Sequence, residues 1–217
     1  DSFAPGTTRY NFASQNHLLR PDKKHDFGIL LTFENLNKHT FNIDYFSSSY
    51  KTIAQLDYSG IFGLSVDLPC NNPFLSNQQF TTICADNGRG LTDTIPLYIS
   101  RRNIEGNPRQ RSFKNSTDRF MFNVEGELSK EWTYSLDYQN SKTKIEFSYL
   151  NDISKSRAAQ ALNVTGTALN PSCVTGNNCK PWNIFTVTDG KIKESASLGV
   201  TQEALNYISA ELKVDSK

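Results

Sequence analysis

Residues 119–128 read RFMFNVEGEL and residues 132–139 read WTYSLDYQ, with only the tripeptide SKE between them. In both stretches apolar side chains alternate with mostly polar ones. A period of two places alternate side chains on opposite faces of a β-strand. The two stretches therefore predict an antiparallel hairpin with a short turn, one apolar face and one mostly polar face. The apolar positions are Phe120, Phe122 and Val124, then Trp132, Tyr134, Leu136 and Tyr138.

The same pattern occurs earlier in the chain. Residues 26–34 read DFGILLTFE, and residues 39–46 read HTFNIDYF after a short polar turn. Phe27, Ile29, Leu31 and Phe33 would share one face of the first strand, and Phe41, Ile43 and Tyr45 one face of the second. We therefore predict strands near residues 25–34, 39–48, 117–128 and 132–148, with long loops near 49–113 and 149–217.

Short connections at one end of the strands and long ones at the other are typical of outer-membrane β-barrels, which have short periplasmic turns and long extracellular loops. A soluble β-sandwich also alternates, but its strands recur every 8 to 12 residues or so. Loops of roughly 50 to 60 residues are uncommon inside a compact domain. The sequence thus predicts an all-β fold, a partial transmembrane antiparallel β-barrel of two hairpins. Good helix formers predict short loop helices near residues 156–162 and 201–208.

The composition agrees with strands and turns rather than helices. The 217 residues include 14 Phe and 9 Tyr, whereas hydrophobic residues reach only 37% of the chain. Such a chain has few of the residues that favour long helices, which nearly excludes an all-α fold. The formal net charge of +1 provides no global field that would attract nucleic acid. Apolar runs are only a few residues long, far short of the roughly 20 that a membrane-spanning helix needs.

The four cysteines fall into two local pairs within stretches rich in Asn, Pro and Gly. We expect disulfides between Cys70 and Cys84 and between Cys173 and Cys179, and hence an oxidising, exported compartment. Zinc binding and free thiols are the alternatives. No Cys-x-x-Cys motif occurs and the histidines lie far from both pairs in the sequence, so no metal site is expected.

Catalytic motifs are weak. Residues 63–67 read GLSVD, which lacks the last glycine of the Gly-x-Ser-x-Gly elbow, and neither a phosphate-binding loop nor a zinc-protease motif occurs. We therefore expect neither an enzyme nor a cofactor. One run of charge stands out, because Arg101, Arg102, Arg109 and Arg111 lie close together in sequence. They are candidates for contact with an anion or a lipid headgroup, with an ordinary solvated loop surface as the alternative. Without interleaved aromatic residues, nucleic acid is not expected.

Several stretches carry a family resemblance. Residues 149–157 read YLNDISKSR and are followed by ALNV at 161–164; residues 179–185 read CKPWNIF, and residues 201–207 read TQEALNY. Residues 10–12 read YNF, and residues 101–109 read RRNIEGNPR. In their order and spacing these stretches resemble the barrel strands and large loops of TonB-dependent outer-membrane receptors.

This resemblance implies a function. Receptors of that family take up a scarce extracellular nutrient through a barrel of about 22 strands that is filled by an N-terminal plug. Because the chain carries no plug-like sequence, we interpret residues 1–217 as an internal segment of one β-barrel domain in the bacterial outer membrane. The expected partners are outer-membrane lipid, the nutrient, and the periplasmic TonB protein through other parts of the parent protein. The alternative is a secreted, soluble, β-rich binding or adhesion module.

Overall fold

The computed structural model describes residues 13–35, 38–176, 178–186 and 189–216. The protein is mostly β, which confirms the coarse prediction of an all-β fold. The strands are β1 (Asp22–Asn35), β2 (His39–Tyr58), β3 (Gly60–Pro69), β4 (Thr94–Arg102), β5 (Pro108–Glu127), β6 (Thr133–Ile153), β7 (Val164–Thr167), β8 (Asn170–Cys173) and β9 (Ser209–Ser216). The α-helices are α1 (Asn77–Ile83), α2 (Lys155–Leu162) and α3 (Gln202–Ile208), and short 3₁₀ turns occur at Ala85–Asn87 and Ala196–Leu198.

The main sheet is an antiparallel meander. In the part of the chain that the structure describes, it has five strands in the order β1-β2-β5-β6-β9. Only short segments separate β1 from β2 and β5 from β6, whereas β2 reaches β5, and β6 reaches β9, through long connections. The predicted alternation of short and long connections is therefore present. The long connections contain two small antiparallel sheets, β3 with β4 and β7 with β8.

The predicted strands exist, but three of them extend well beyond their predicted bounds. β2 continues to Tyr58 rather than ending near residue 48, β5 begins at Pro108 rather than near 117, and β6 continues to Ile153. The extensions carry mixed polar sequence such as SSSYKT at residues 47–52, which has no clear alternation. In these extensions backbone hydrogen bonds still pair the strands, but the side chains lack the alternation by which a strand is predicted from sequence.

The predicted long loops are also more ordered than expected. The segment 149–217 contains β9, which joins the main sheet, and the segment 49–113 contains β3, β4 and α1. β9 has only eight residues of mixed character, so its sequence alone does not distinguish it from a loop. α2 and α3 occupy the positions predicted for helices, and the caps Ser154 and Thr201 accept hydrogen bonds from their first turns.

The chain divides into two compact units, although the sequence predicted one domain. The loop unit comprises the described residues of 1–16, 56–109 and 150–211. The sheet unit comprises the described residues of 17–55, 110–149 and 212–217. The loop unit has its own hydrophobic core, to which both long connections contribute. Its fully buried members include Ile61 from β3, Leu162 from α2, Trp182, Val200 and Ile208 from α3.

No helix in the described ranges is long and apolar enough to cross a membrane.

Candidate functional site

One face of the sheet unit is a continuous apolar surface, called the apolar face below. The β1–β2 register places Ile29 opposite Tyr45 and Phe33 opposite Phe41, so the apolar positions of both strands lie on one side. β5 joins the same face, because the Tyr45 hydroxyl donates to Asp118, two residues before Phe120. The members are Phe27, Ile29, Leu31, Phe33, Phe41, Ile43, Tyr45, Phe120, Phe122, Val124, Leu136 and Tyr138.

Aromatic contacts connect the strands across this face. The ring centroids of Phe27 and Tyr45 are 6.4 Å apart, and those of Phe120 and Tyr138 are 6.5 Å apart. Cross-strand aromatic pairs of this kind contribute roughly 0.2–1 kcal/mol each. They support the register of the sheet, but they leave its outer surface open.

The apolar face is exposed rather than packed into a core. Phe33 is 64% exposed and Leu136 is 60% exposed. Among the described residues of the sheet unit, Val124 is the only buried apolar side chain, whereas the loop unit buries a full cluster. The sheet unit therefore presents its largest apolar side chains outward.

The opposite face of the sheet unit is mostly polar and is hydrogen-bonded from strand to strand. Thr32 donates to Asn42 at 2.9 Å, Asn42 donates to Asn123 at 3.0 Å, and Asn123 donates to Asp137 at 2.7 Å. These bonds connect β1, β2, β5 and β6 in one row. The sheet is therefore amphipathic, as the alternating sequence predicts.

Aromatic and polar groups meet at the short-turn end of the apolar face. The Tyr134 hydroxyl lies 3.2 Å from Nδ1 of His39, and Phe33 packs against Phe41 with ring centroids 6.1 Å apart. Trp132, beside the β5–β6 turn, is exposed. Aromatic side chains are thus gathered at the short-turn end of the sheet unit.

The loop unit uses two of the predicted arginines in internal ion pairs. Arg101 makes a two-pronged pair with Glu105, whose side chain is fully buried, and its guanidinium lies 5.8 Å from the ring centroid of Trp182. Arg102 donates to Asp57 at 2.8 Å. Both guanidinium groups therefore neutralise buried carboxylates within their own unit.

Arg109 and Arg111 also have internal contacts. Arg109 Nε donates to the backbone carbonyl of Asp57 at 3.0 Å, and the Arg111 guanidinium lies 5.2 Å from the ring centroid of Tyr149. The internal partners of these four arginines lie up to 52 residues away along the chain. Their contact with an anion or a lipid headgroup stays a prediction.

Both predicted disulfides are present, and both lie in the loop unit. Cys70 is bonded to Cys84 and Cys173 to Cys179, with Cα–Cα distances of 6.0 Å and 6.1 Å. All four cysteines of the chain are thus paired. The first bridge ties the end of β3 to the end of α1, and the second encloses the loop that follows β8.

A cleft of about 710 Å³ opens beside the Cys173–Cys179 bridge and is called the disulfide cleft below. Lys180 and Glu203 form an exposed ion pair at 3.3 Å in its wall, and Ser172, Thr201 and Gln202 add hydroxyl and amide groups. Such a lining offers hydrogen-bond donors, acceptors and both signs of charge to a polar ligand. Sequence reasoning did not identify this cleft, because its walls come from three separate stretches of the second long connection.

Lys193 in the same wall is oriented by Asp189. The Lys193 ammonium donates to the Asp189 carboxylate at 2.9 Å. This hydrogen bond, with smaller help from the backbone N–H of Lys191, lowers the pKa of Asp189 below its ordinary value. Asp189 is therefore ionised and restrains a cation at the rim of the disulfide cleft.

In the described part of the chain, no group of three or more His, Cys, Asp or Glu side chains is arranged to hold a metal ion. No family model, curated protein or solved structure matches the chain.

Proposed function

We propose that the chain is a segment of a bacterial outer-membrane receptor of the TonB-dependent type, which takes up a scarce extracellular nutrient. The observation that carries the proposal is the amphipathic antiparallel sheet, with its exposed apolar face and its hydrogen-bonded polar face. On this proposal the apolar face contacts lipid and the row from Thr32 to Asp137 lines an aqueous lumen.

Burial of the apolar face against another apolar surface is favoured by the free energy of removing its side chains from water. Removing a Leu, Ile or Phe side chain from water stabilises a protein by about 1.5–3 kcal/mol, and monomeric soluble proteins rarely expose large contiguous apolar patches. Lipid acyl chains bury the apolar face without requiring a second sheet. The paired backbone groups of neighbouring strands also meet the requirement that polar backbone groups be satisfied in lipid.

The loop unit supplies the groups for ligand capture. Both long connections contribute to its core, and its two disulfides suit an oxidising extracellular environment. The disulfide cleft, with Lys180 and Glu203 in its wall, is the proposed site of first contact with a polar nutrient. Energy coupling through TonB belongs to other parts of the receptor.

Site-directed spin labelling tests the membrane location. One nitroxide replaces Leu136 on the apolar face, and a second replaces Gln139, three residues along β6 and on the polar side of the alternation. In lipid vesicles, oxygen should relax the label at 136 more strongly, and a polar nickel reagent should relax the label at 139. Shielding of position 136 from both reagents would mean a packed protein interior and would favour the secreted, soluble binding module.

A further inference from the structure

A small cavity lies in the loop unit where the β4–β5 turn, the end of β6 and α3 meet, and it is called the Asn103 pocket below. Its volume of about 90 Å³ leaves room for an ion together with water. Among the described residues that line it there is no lysine, arginine, histidine or cysteine. The lining residues that carry side-chain oxygen atoms include Asn103, Glu105, Asn107, Asp152, Asn206 and Ser209.

Asn103 provides the observation that points to a ligand. Its side chain lines the pocket and the residue is only 9% exposed. Its Oδ1 atom is buried, and no donor of the described residues forms a hydrogen bond to it. A buried acceptor that has lost water without gaining a partner destabilises the folded state, and such groups are rare in proteins. A bound cation would satisfy this oxygen.

The backbone holds Asn103 in place without any ligand. Its N–H donates to the carbonyl oxygen of Ser59 at 2.8 Å, and its own carbonyl accepts from the N–H of Gly106 at 3.1 Å. A Cβ atom at position 106 would come within 2.5 Å of Nδ2 of Asn103, so the glycine makes room for this amide. The unpaired oxygen therefore belongs to a fixed side chain rather than to a mobile one.

The two carboxylates of the pocket leave one negative charge uncompensated. The buried carboxylate of Glu105 is neutralised by its two-pronged pair with Arg101. The carboxylate of Asp152 accepts hydrogen bonds at Oδ1 from the Ser59 hydroxyl and from the N–H of Ile153. Among the described residues, no cationic side chain forms an ion pair with Asp152. The pocket therefore favours a positively charged ligand.

The chemistry of the lining identifies the cation. Amide, carboxylate and hydroxyl oxygens suit hard cations, whereas nitrogen and sulfur ligands suit zinc or copper. Ca²⁺ accepts six to eight oxygen ligands in flexible geometry, including neutral amide and backbone oxygens, whereas Mg²⁺ requires a nearly ideal octahedron. A lining with so few free charges predicts a dissociation constant of about 10⁻⁴ to 10⁻³ M, as in extracellular calcium modules. The disulfides of the loop unit suit the same environment.

We propose that the Asn103 pocket binds one Ca²⁺ ion, with Oδ1 of Asn103 and the carboxylate of Asp152 among its ligands. The ion joins the β4–β5 turn, the end of β6 and α3, which are distant in the chain. Cysteine and histidine spacing could not indicate this site, because its ligands are amide and carboxylate oxygens from separate stretches. The proposal goes beyond nutrient uptake and does not depend on the membrane location.

Urea unfolding of the full chain with either Ca²⁺ or a chelator tests the proposal. Trp182 is fully buried in the core of the loop unit, so tryptophan fluorescence reports the unfolding of that unit. With a dissociation constant of about 10⁻³ M, about 10 mM Ca²⁺ should raise the ratio of folded to unfolded protein about tenfold. Mg²⁺ at the same concentration should have little effect. Equilibrium dialysis with radioactive Ca²⁺ measures the binding directly and should find one ion per chain.

Two variants remove the assigned ligands. Asn103→Ala should abolish the calcium effect, and in chelator it should be no less stable than the wild type, because it removes an unsatisfied acceptor. Asp152→Asn keeps an oxygen acceptor for the Ser59 hydroxyl but removes the charge, so it should weaken calcium binding about tenfold or more. Asp86→Asn is the matched control, since it removes the same charge from an exposed position of the loop unit and should keep the wild-type response.

Wild-type protein that binds no Ca²⁺ in dialysis, or that is equally stable in Ca²⁺ and in chelator, would overturn the proposal. An equal response to Mg²⁺ would also overturn it, because a general effect of divalent cations would then explain the data. If Asn103→Ala does not fold, Asp152→Asn decides, and an unchanged calcium response in that variant would place the ion elsewhere. The nitroxide at position 136 is a separate readout, so failure of the calcium site leaves the membrane proposal standing.

Discussion

At the scale of the residue, the pair of Arg101 and Glu105 is a buried ion pair of the loop unit. The Glu105 side chain is fully buried and that of Arg101 is 20% exposed. Arg101→Met keeps most of the apolar stem but removes the guanidinium that is paired with the buried carboxylate. Breaking a buried pair in this way costs about 3–5 kcal/mol. Urea unfolding of the chain, followed by tryptophan fluorescence, should show a loss of that size.

Lys180→Met is the matched control for this prediction. It breaks the ion pair between Lys180 and Glu203 in the same unit, but both side chains of that pair are exposed. Exposed pairs contribute about 0–1 kcal/mol, so the unfolding midpoint should hardly move. A loss for Arg101→Met no larger than the loss for the control would contradict a structural role of the buried pair.

Asp189 provides a prediction about pH. Its pKa is lowered chiefly by the hydrogen bond from Lys193, so its folded-state pKa lies below the ordinary value of 3.8. The resulting stabilisation is fully present above that ordinary value and is lost as the pH falls through the lowered pKa. In Lys193→Ala the pKa of Asp189 should rise toward its ordinary value. Carboxyl-carbon NMR titration measures both proteins, and identical titration curves would contradict the contact.

At the scale of the element, the disulfides provide the next prediction. Both bridges close short loops, with sequence separations of 14 and 6 residues. In the chain-entropy model, closing a loop of about 15 residues stabilises by about 3 kcal/mol, and the shorter loop contributes less. Replacing Cys70 and Cys84 by Ser should therefore lower stability more than replacing Cys173 and Cys179. Thiol counting on denatured, non-reduced protein should find no free cysteine, and four free thiols would refute both bridges.

The N-terminus of α3 is a second test at this scale. The Thr201 hydroxyl accepts a hydrogen bond from the backbone N–H of Ala204 at 3.2 Å, and α3 buries Ala204, Leu205 and Ile208 in the core of the loop unit. Thr201→Ala removes this cap and should cost about 1 kcal/mol of unfolding free energy. Thr201→Ser keeps the hydroxyl and should stay near wild type in the same urea titration. Equal losses would point to the missing methyl group instead.

At the scale of the whole molecule, the two faces of the sheet make opposite predictions for the same substitution. Leu136→Arg places a charge on the apolar face and should cost about 2–4 kcal/mol if the position is near the bilayer midplane. Gln139→Arg places the same charge on the polar side and should be tolerated. Refolding into vesicles at graded urea concentrations measures both. Equal costs would contradict the proposal that the apolar face contacts lipid and the polar face lines a lumen.

Part of this architecture follows from local patterns. The alternation around Phe120 and Leu136 predicted the strands, their faces and the short turns, because the two-residue alternation of side chains along a strand can be read from consecutive residues. The cysteine pairs and the helices α2 and α3 could be predicted for the same reason, because the residues that indicate each of them lie at most about fifteen positions apart in the chain.

The remainder depends on partners that are distant in the chain. Asp57 meets Arg102 across a separation of 45 residues, and Ile61 shares a core with Ile208. No local pattern encodes such contacts, so the sequence did not reveal the internal partners of the arginines and treated two folded connections as loops. The full lengths of β2, β5 and β6, the addition of β9 and the disulfide cleft were likewise decided only by the tertiary structure, because backbone pairing and packing, rather than side-chain period, determine them.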